Sequence, residues 1–285
     1  MSDLRIGRLD RDGLARAIEW AAAEGWNPGL DDLEPFLAAD PDGFFGGWVD
    51  GEPAVTVSAV RYGDEFAFGG FYIAAPAYRG LGIAYQVSRA AREYAAGSAV
   101  IGLDGVLEQE ATYARDGFVT AYGTTRYVLT PHADIAASTD DLVDARDVSP
   151  DTLVAYEVDG RLFPARRARF LAAWLAMPSA FARAHVDGEG HLRGWGLRRR
   201  CREGYKVGPL FADDAGTADA IWRALVAGTD GPVFLDVPDP NDAGRALVGR
   251  AGMEPVFSTR RMYAGGPAPD LALDRIFGVT TLELG

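Results

Sequence analysis

Six consecutive residues in the first third of the chain have the types and order of an anion cradle: Arg79-Gly80-Leu81-Gly82-Ile83-Ala84. The apolar, aromatic and β-branched run Phe71-Tyr72-Ile73-Ala74 precedes them and predicts a buried strand, which Pro76 ends because it has no N–H for a sheet ladder. Behind them, Ile83, Val87, Ala90, Ala91 and Tyr94 fall on one stripe and predict a helix. Glycines let the backbone approach a ligand closely, and the first-turn N–H groups of a helix are unpaired and positive. A strand, a glycine turn and a helix in that order hold phosphate, which here reads as a pyrophosphate loop.

Other chemistries find less support. The single cysteine, Cys201, excludes an internal disulfide framework and a cysteine metal cage. It lies in Arg198-Arg199-Arg200-Cys201-Arg202, where cationic neighbours could lower its pKa, although a bystander thiol on a turn is the plainer reading. His132, His185 and His191 have no metal-ligand spacing, so no metal is expected. A net charge of −13 argues against a nucleic-acid partner and suits cationic ligands such as amines. With 48% hydrophobic and 24% charged residues, the 285-residue chain has the composition of one large or two ordinary globular domains. No apolar run approaches a membrane span, and the first residues lack a signal-peptide core. The expectation is a cytoplasmic protein with no membrane partner.

Pattern and punctuation predict strands over residues 4–9, 44–49, 54–62, 66–74, 99–103 and 118–129. Helices are predicted from Asp10 or Asp12 through Ala23, over 31–39, after the glycine loop, and over 108–115. This order resembles the GNAT family of acetyl-CoA-dependent N-acetyltransferases. Their loop pattern, Gln/Arg-x-x-Gly-x-Gly/Ala, is matched by Arg79, Gly82 and Ala84. The segments Tyr113-Ala114-Arg115-Asp116-Gly117-Phe118, Gly102-Leu103-Asp104-Gly105-Val106 and Glu24-Gly25-Trp26-Asn27-Pro28 extend the resemblance over residues 1–130.

The resemblance implies acetyl transfer from acetyl-CoA to the primary amine of a small molecule. Residues 79–84, that is Arg79, Gly80, Leu81, Gly82, Ile83 and Ala84, would hold the pyrophosphate. Ile73 and Ala74, on the fourth strand where it splays from the fifth, would hold the acyl arm through their backbone. Tyr113 takes the place of the family's general acid, because a phenol can protonate a departing thiolate without ionising at neutral pH. Asp104 is the preferred base, with a turn role in Asp104-Gly105 as the competing reading; Glu24, Asp31, Glu108 and Glu110 are further candidates. Trp26, Asn27, Tyr72 and Tyr122 are acceptor-pocket candidates, Trp26 through cation–π attraction or simply as a core plug. The family often has Asn where this chain has Val106. A sensor that binds CoA without turnover, another acyl donor, or an oxygen or sulfur acceptor are the competing readings. A monomer or homodimer is expected.

Residues 131–150 read as a linker. Beyond it the chain repeats: a shift of 135 residues lays Gly117-Phe118 on Gly252-Met253, Thr124 on Thr259 and Arg126 on Arg261. The loop does not repeat. Asp213-Asp214-Ala215-Gly216-Thr217 puts carboxylates where phosphate would lie, and Val248 replaces Tyr113. Residues 151–285 therefore resemble the degenerate second domain of a tandem-GNAT subgroup, including its tail Gly278-Val279-Thr280-Thr281-Leu282-Glu283-Leu284-Gly285. The expected class is α/β: two tandem GNAT folds, each a mostly antiparallel sheet splayed between its fourth and fifth strands and flanked by helices. Arg166, Arg167 and Arg169 open an amphipathic helix and read mainly as a solvated basic face.

Overall fold

Each run predicted as a strand or helix in the first half forms one. The computed structural model describes residues 3–130 and 142–285. The order is β1 (Leu4–Arg8), α1 (Arg11–Ala23), α2 (Leu33–Ala39), β2 (Phe44–Val49), β3 (Glu52–Tyr62), β4 (Phe66–Ala74), α3 (Ile83–Ala95), β5 (Val100–Val106), α4 (Glu110–Arg115) and β6 (Val119–Leu129). Asp10 caps α1, its carboxylate accepting from Gly13 N at 2.8 Å. Strand alternation sorts the core onto two faces. Phe44, Phe66 and Phe68 pack with Leu14, Ile18 and Phe36 of α1 and α2, whereas Phe45, Val55 and Ala67 pack with Val87, Ala91 and Ala95 of α3.

The second half repeats the plan: β7 (Leu142–Asp144), α5 (Pro150–Asp159), α6 (Ala168–Leu175), β8 (Phe181–Val186), β9 (Leu192–Arg200), β10 (Tyr205–Ala212), α7 (Ala215–Val226), β11 (Val233–Pro238), α8 (Asp242–Arg250), β12 (Glu254–Ala264) and β13 (Ile276–Gly278). Of the expected linker, residues 131–141 lie outside the described residues. Its last part is ordered sheet: β7 pairs with β8 through Leu142↔His185, and Ala145 behind it is fully buried. Three residues were too short a run to carry a periodic signal. Arg167 also departs from the solvated-face reading. It is buried against Glu157, with nitrogen–oxygen distances of 2.7 and 3.0 Å, while Arg166 and Arg169 are exposed.

All strands belong to one sheet, ordered β1-β2-β3-β4-β5-β12-β6-β11-β10-β9-β8-β7, with β13 beside β10. The halves exchange their last long strands. Strand β12 pairs with β5 of the first half, and β6 pairs with β11 of the second. The two exchanged strands then pair with each other about Thr124↔Thr259. They are equal in length, 11 residues each, and related by the same shift as the repeat. A boundary at residue 130 therefore cuts through a joint sheet, because both neighbours of β6 come from the second half. Among the described residues, no helix is long and apolar enough to cross a membrane.

Two buried ion pairs seal the exchange. Arg261 of β12 grips Asp104 of β5 at 2.8 and 2.7 Å, and Arg126 of β6 grips Asp236 of β11 at 2.6 and 2.9 Å. Burial pushes the Asp104 carboxyl up against the pull of Arg261, with the anions Asp236 and Glu283 adding to the push. For Asp236, burial acts the same way but loses to Arg126, helped by Lys206 and Arg199, so its carboxyl lies below the usual range. Asp236→Ala would leave Arg126 buried and unpaired. The expected loss is about 3–5 kcal/mol of unfolding free energy at pH 7, read by urea titration. Because the folded pKa is the lower one, that contribution is present above the unfolded carboxylate pKa of about 3.9 and fades as pH falls through the folded value.

Candidate active site

A cleft opens where β4 and β5 part. They pair in parallel only from Phe66↔Val100 to Gly69↔Leu103, although β4 runs on to Ala74 and β5 to Val106. A bulge in β4 starts the divergence. Its register against β3 jumps between Ser58↔Gly70 and Thr56↔Ile73, and Phe71 takes a left-handed φ of 49°. Thr56 Oγ1 donates to Phe71 O at 3.0 Å and holds that strained turn. The cavity so formed is about 750 Å³ and reaches from the α3 face through the sheet to the α1–α2 side.

The predicted loop lies at one end. Gly80 and Gly82 line the cavity with φ of 75° and 74°, in the left-handed region that L side chains avoid. Gly82 is the N-cap of α3 and supplies no side chain, so the first-turn N–H groups face the cleft uncapped. Ile73, Ala74, Arg79 and Ala84 also line it. Leu81 is 63% exposed, and neither it nor Ile83 contributes lining surface, which limits them to backbone contacts. Arg79 Nε donates to Ala74 O at 3.0 Å, and its guanidinium bonds to Glu24 across the mouth. That contact ties the loop to the end of α1.

Tyr113, on α4, lines the cleft edge-on to Tyr72 at 6.2 Å and to Phe118 at 6.2 Å. Gly105 must be glycine beneath it, since a Cβ there would sit 2.8 Å from the ring. Burial in this aromatic packing raises the phenol pKa well above its usual value. The group stays protonated at neutral pH and is able to donate a proton.

The candidate bases fare differently. Asp104 lines the cavity, but Arg261 occupies both of its oxygens, so its role is to lock the exchanged strand rather than to accept a proton freely. Glu24 is bonded to Arg79. Asp31 accepts from Ser179 N at 3.0 Å, and Glu110 accepts from Thr120 Oγ1 at 2.6 Å. Asp31, Glu108 and Glu110 do not line the cleft.

Among the acceptor candidates, Trp26 and Tyr72 line the cavity and Asn27 and Tyr122 do not. The Trp26 carbonyl accepts from Arg126 NH1 at 2.9 Å and Lys206 Nζ at 3.2 Å. Asn27 instead stitches the halves together: its side chain bonds both ways with the Glu203 backbone, at 3.0 and 2.9 Å. Tyr122 stands beside Arg261, 5.8 Å from ring centroid to guanidinium carbon. It is the repeat-mate of Phe257, which does reach the cavity beside Arg126. Cys201 is buried in the seam, bridged to the loop at Gly29, and desolvation raises its pKa rather than lowering it. Among the described residues, no cluster of His, Cys, Asp or Glu could hold a metal.

In the second half the equivalent cleft is filled. Strands β10 and β11 pair only from Tyr205↔Val233 to Val207↔Leu235, and β13 then lies against β10 through Leu210↔Gly278. A Cβ on Gly208 would meet Thr280 O at 2.3 Å. Asp214 caps α7, accepting from Thr217 N at 2.9 Å, so the helix dipole is satisfied internally. Asp213 is neutralised by Arg275 and Arg193. Asn241 caps α8 and donates to Ile276 O at 2.9 Å, which pins β13 in place.

A second half that walls the pocket or mediates packing is one reading of the sequence, but the residues that do so, on exchanged strands and the tail, are not singled out for that role by it: Arg126, Phe257, Thr259, Leu282 and Glu283. The repeat marked Arg126 and Thr259, but only the strand order reveals which half each one serves.

A helix following the first of two splayed strands, present twice and open and uncapped once, defines a tandem GNAT fold, and the chain belongs to the GNAT acetyltransferase family. A family model described as "Acetyltransferase (GNAT) family" matches residues 13–118, and one described as "Acetyltransferase (GNAT) domain" matches residues 155–278. The chain is 34% identical to the holothin acyltransferase of Pseudoalteromonas sp. over 94% of its length and 90% of that protein's. It is accordingly an acyltransferase of the GNAT type, a family that generally uses acyl-CoA. Two solved structures share the fold. A Pyrococcus horikoshii protein described as a candidate acetyltransferase is 22% identical with a TM-score of 0.81, covering 99% of this chain and 96% of that one. A tandem GNAT protein from the clavulanic acid biosynthesis pathway is 16% identical with a TM-score of 0.65, covering 93% and 100%.

The uncapped N–H groups at Gly82 fit a pyrophosphate. Gly82→Val puts a branched side chain at a left-handed φ, a cost of about 1–2 kcal/mol before any clash with a ligand. The expected result is an acetyl-CoA Kd raised at least about tenfold by calorimetry, with an unchanged circular dichroism spectrum.

Proposed function

We propose that this acyltransferase moves an acetyl group directly from acetyl-CoA to a primary amine of a small molecule, using one active site per chain. The observation that carries this reading is the contrast between the two clefts. One is open beside an uncapped helix, and the other is filled by β13 and capped by Asp214. The name of the holothin acyltransferase supports a small-molecule acceptor, and the net charge of −13 favours a cationic one.

Each residue's part follows from its place. The Gly80–Gly82 turn and the first turn of α3 would hold the donor's phosphates, and the unpaired edge of β4 at Ile73 and Ala74 its acyl arm. Attack by the amine nitrogen on the thioester carbon breaks the C–S bond, and the departing thiolate needs a proton. Tyr113, kept protonated by burial, is positioned at the cleft wall to supply it. Ser58 and Thr259 line the cavity, and their buried hydroxyls have no hydrogen-bond partner among the described residues.

Calorimetry should return one acetyl-CoA per chain; two sites would contradict the reading of the second cleft. Thiol release across amino acids, polyamines, aminoglycosides and peptide N-termini should find amine-dependent turnover. On the best substrate, Tyr113→Phe should lower kcat by about 10²-fold with acetyl-CoA affinity within a few-fold of wild type. An unchanged kcat at every pH would remove Tyr113 from the chemistry.

A further inference from the structure

The segment 279–285 leaves the filled cleft of the second half and runs into the open cleft of the first. Val279 N donates to Asp236 O at 2.9 Å, Arg167 NH2 to Thr280 Oγ1 at 2.8 Å, and Tyr62 OH to Leu284 O at 3.0 Å. Between these anchors, Glu283 is pressed against Gly70, where β4 and β5 have just parted. A Cβ on Gly70 would come within 2.3 Å of Glu283 O, so only glycine admits the segment. Glu283 is 3% exposed and lines the cavity.

Three of the four cations around it are paired with other carboxylates. Arg126 has Asp236, Arg199 has Asp32 at 2.8 Å, and Arg261 has Asp104. Lys206 has no carboxylate at ion-pair distance: its ammonium donates to Trp26 O at 3.2 Å, burial lowers its pKa, and the Glu283 charge opposes that fall. Among the described residues, no basic nitrogen forms an ion pair with the Glu283 carboxylate, and its side-chain donor is Thr281 Oγ1. A buried carboxylate with one hydroxyl donor and no cation at ion-pair distance is incompletely compensated, and the residue borders the cavity.

We infer that Glu283 receives the ammonium group of the acceptor and takes its proton, so that the second half completes the active site of the first. The inference rests on the amine-acylation reading and names the group that reading leaves open. One proton passes from the ammonium to the Glu283 carboxylate and on to solvent. The freed nitrogen lone pair forms the C–N bond, the C–S pair goes to sulfur, and sulfur takes the Tyr113 proton. The second proton on nitrogen restores the tyrosine through solvent in the cavity. The charged groups facing this step are those just named: Asp104 on β5, Arg126 on β6, Arg199 on β9, Lys206 on β10, Asp236 on β11 and Arg261 on β12.

Glu283→Gln keeps the shape and the Thr281 contact while removing the charge. Its amine kcat/KM should fall about 10²-fold at pH 7, with acetyl-CoA Kd and unfolding midpoint close to wild type. The deficit should narrow as pH rises toward the amine's own pKa, because solvent then supplies neutral amine. Glu283→Asp should recover part of the loss. In the wild type, a cationic N-methylated analogue of the accepted amine should inhibit at least tenfold better than its alcohol isostere. A Glu283→Gln variant within twofold of wild type across pH, or equal inhibition by the two analogues, overturns the inference and leaves amine acylation standing. Absence of amine-dependent thiol release in the wild type overturns both.

Discussion

The arrangement depends on two buried arginine–aspartate pairs placed symmetrically about the Thr124↔Thr259 contact. Each joins an exchanged strand to the half that receives it. Replacing such pairs by well-packed apolar residues is often neutral, so their net contribution to stability is small. Their consequence is specificity. A one-residue slip of β6 or β12 would strand a guanidinium in an apolar layer, and that penalty selects one register. With the register set, Phe257 and Thr259 of the second half reach the cleft of the first.

The same repeat explains why two similar folds carry one open cleft. A helix N-terminus satisfied by Asp214 has neither the free N–H groups nor the positive field that a phosphate needs. One satisfied by nothing but glycine keeps both. The strand that fills the second cleft is continuous with the segment that walls the first. Closing one site and shaping the other are therefore consequences of one path of the chain.

Tyr113 and Glu283 face the cleft from opposite sources, α4 of the first half and the tail of the second. Burial affects them in complementary ways. It keeps a phenol protonated, whereas it leaves a carboxylate in want of a cation. Asp104, the carboxylate that sequence position favours, is already committed to Arg261.

Local order was legible in the sequence because it rests on short-range physics. Strand alternation, the cap at Asp10 and the glycine loop at 79–84 are each decided within a few residues. The repeat was legible too, since Arg126 and Arg261 are visible at a fixed spacing. What spacing cannot say is which strand lies beside which. Pairing is set by burial and charge matching between residues more than 100 positions apart, as in Arg126 with Asp236 and Arg261 with Asp104. The sequence by itself thus determined the family and the glycine loop that only the first half carries. Only the tertiary structure decided that Asn27 and Tyr122 lie outside the cavity and that Asp104 is already paired. It also decided that Glu283 borders the cavity of the first half, because these placements depend on a strand exchange that no local pattern encodes.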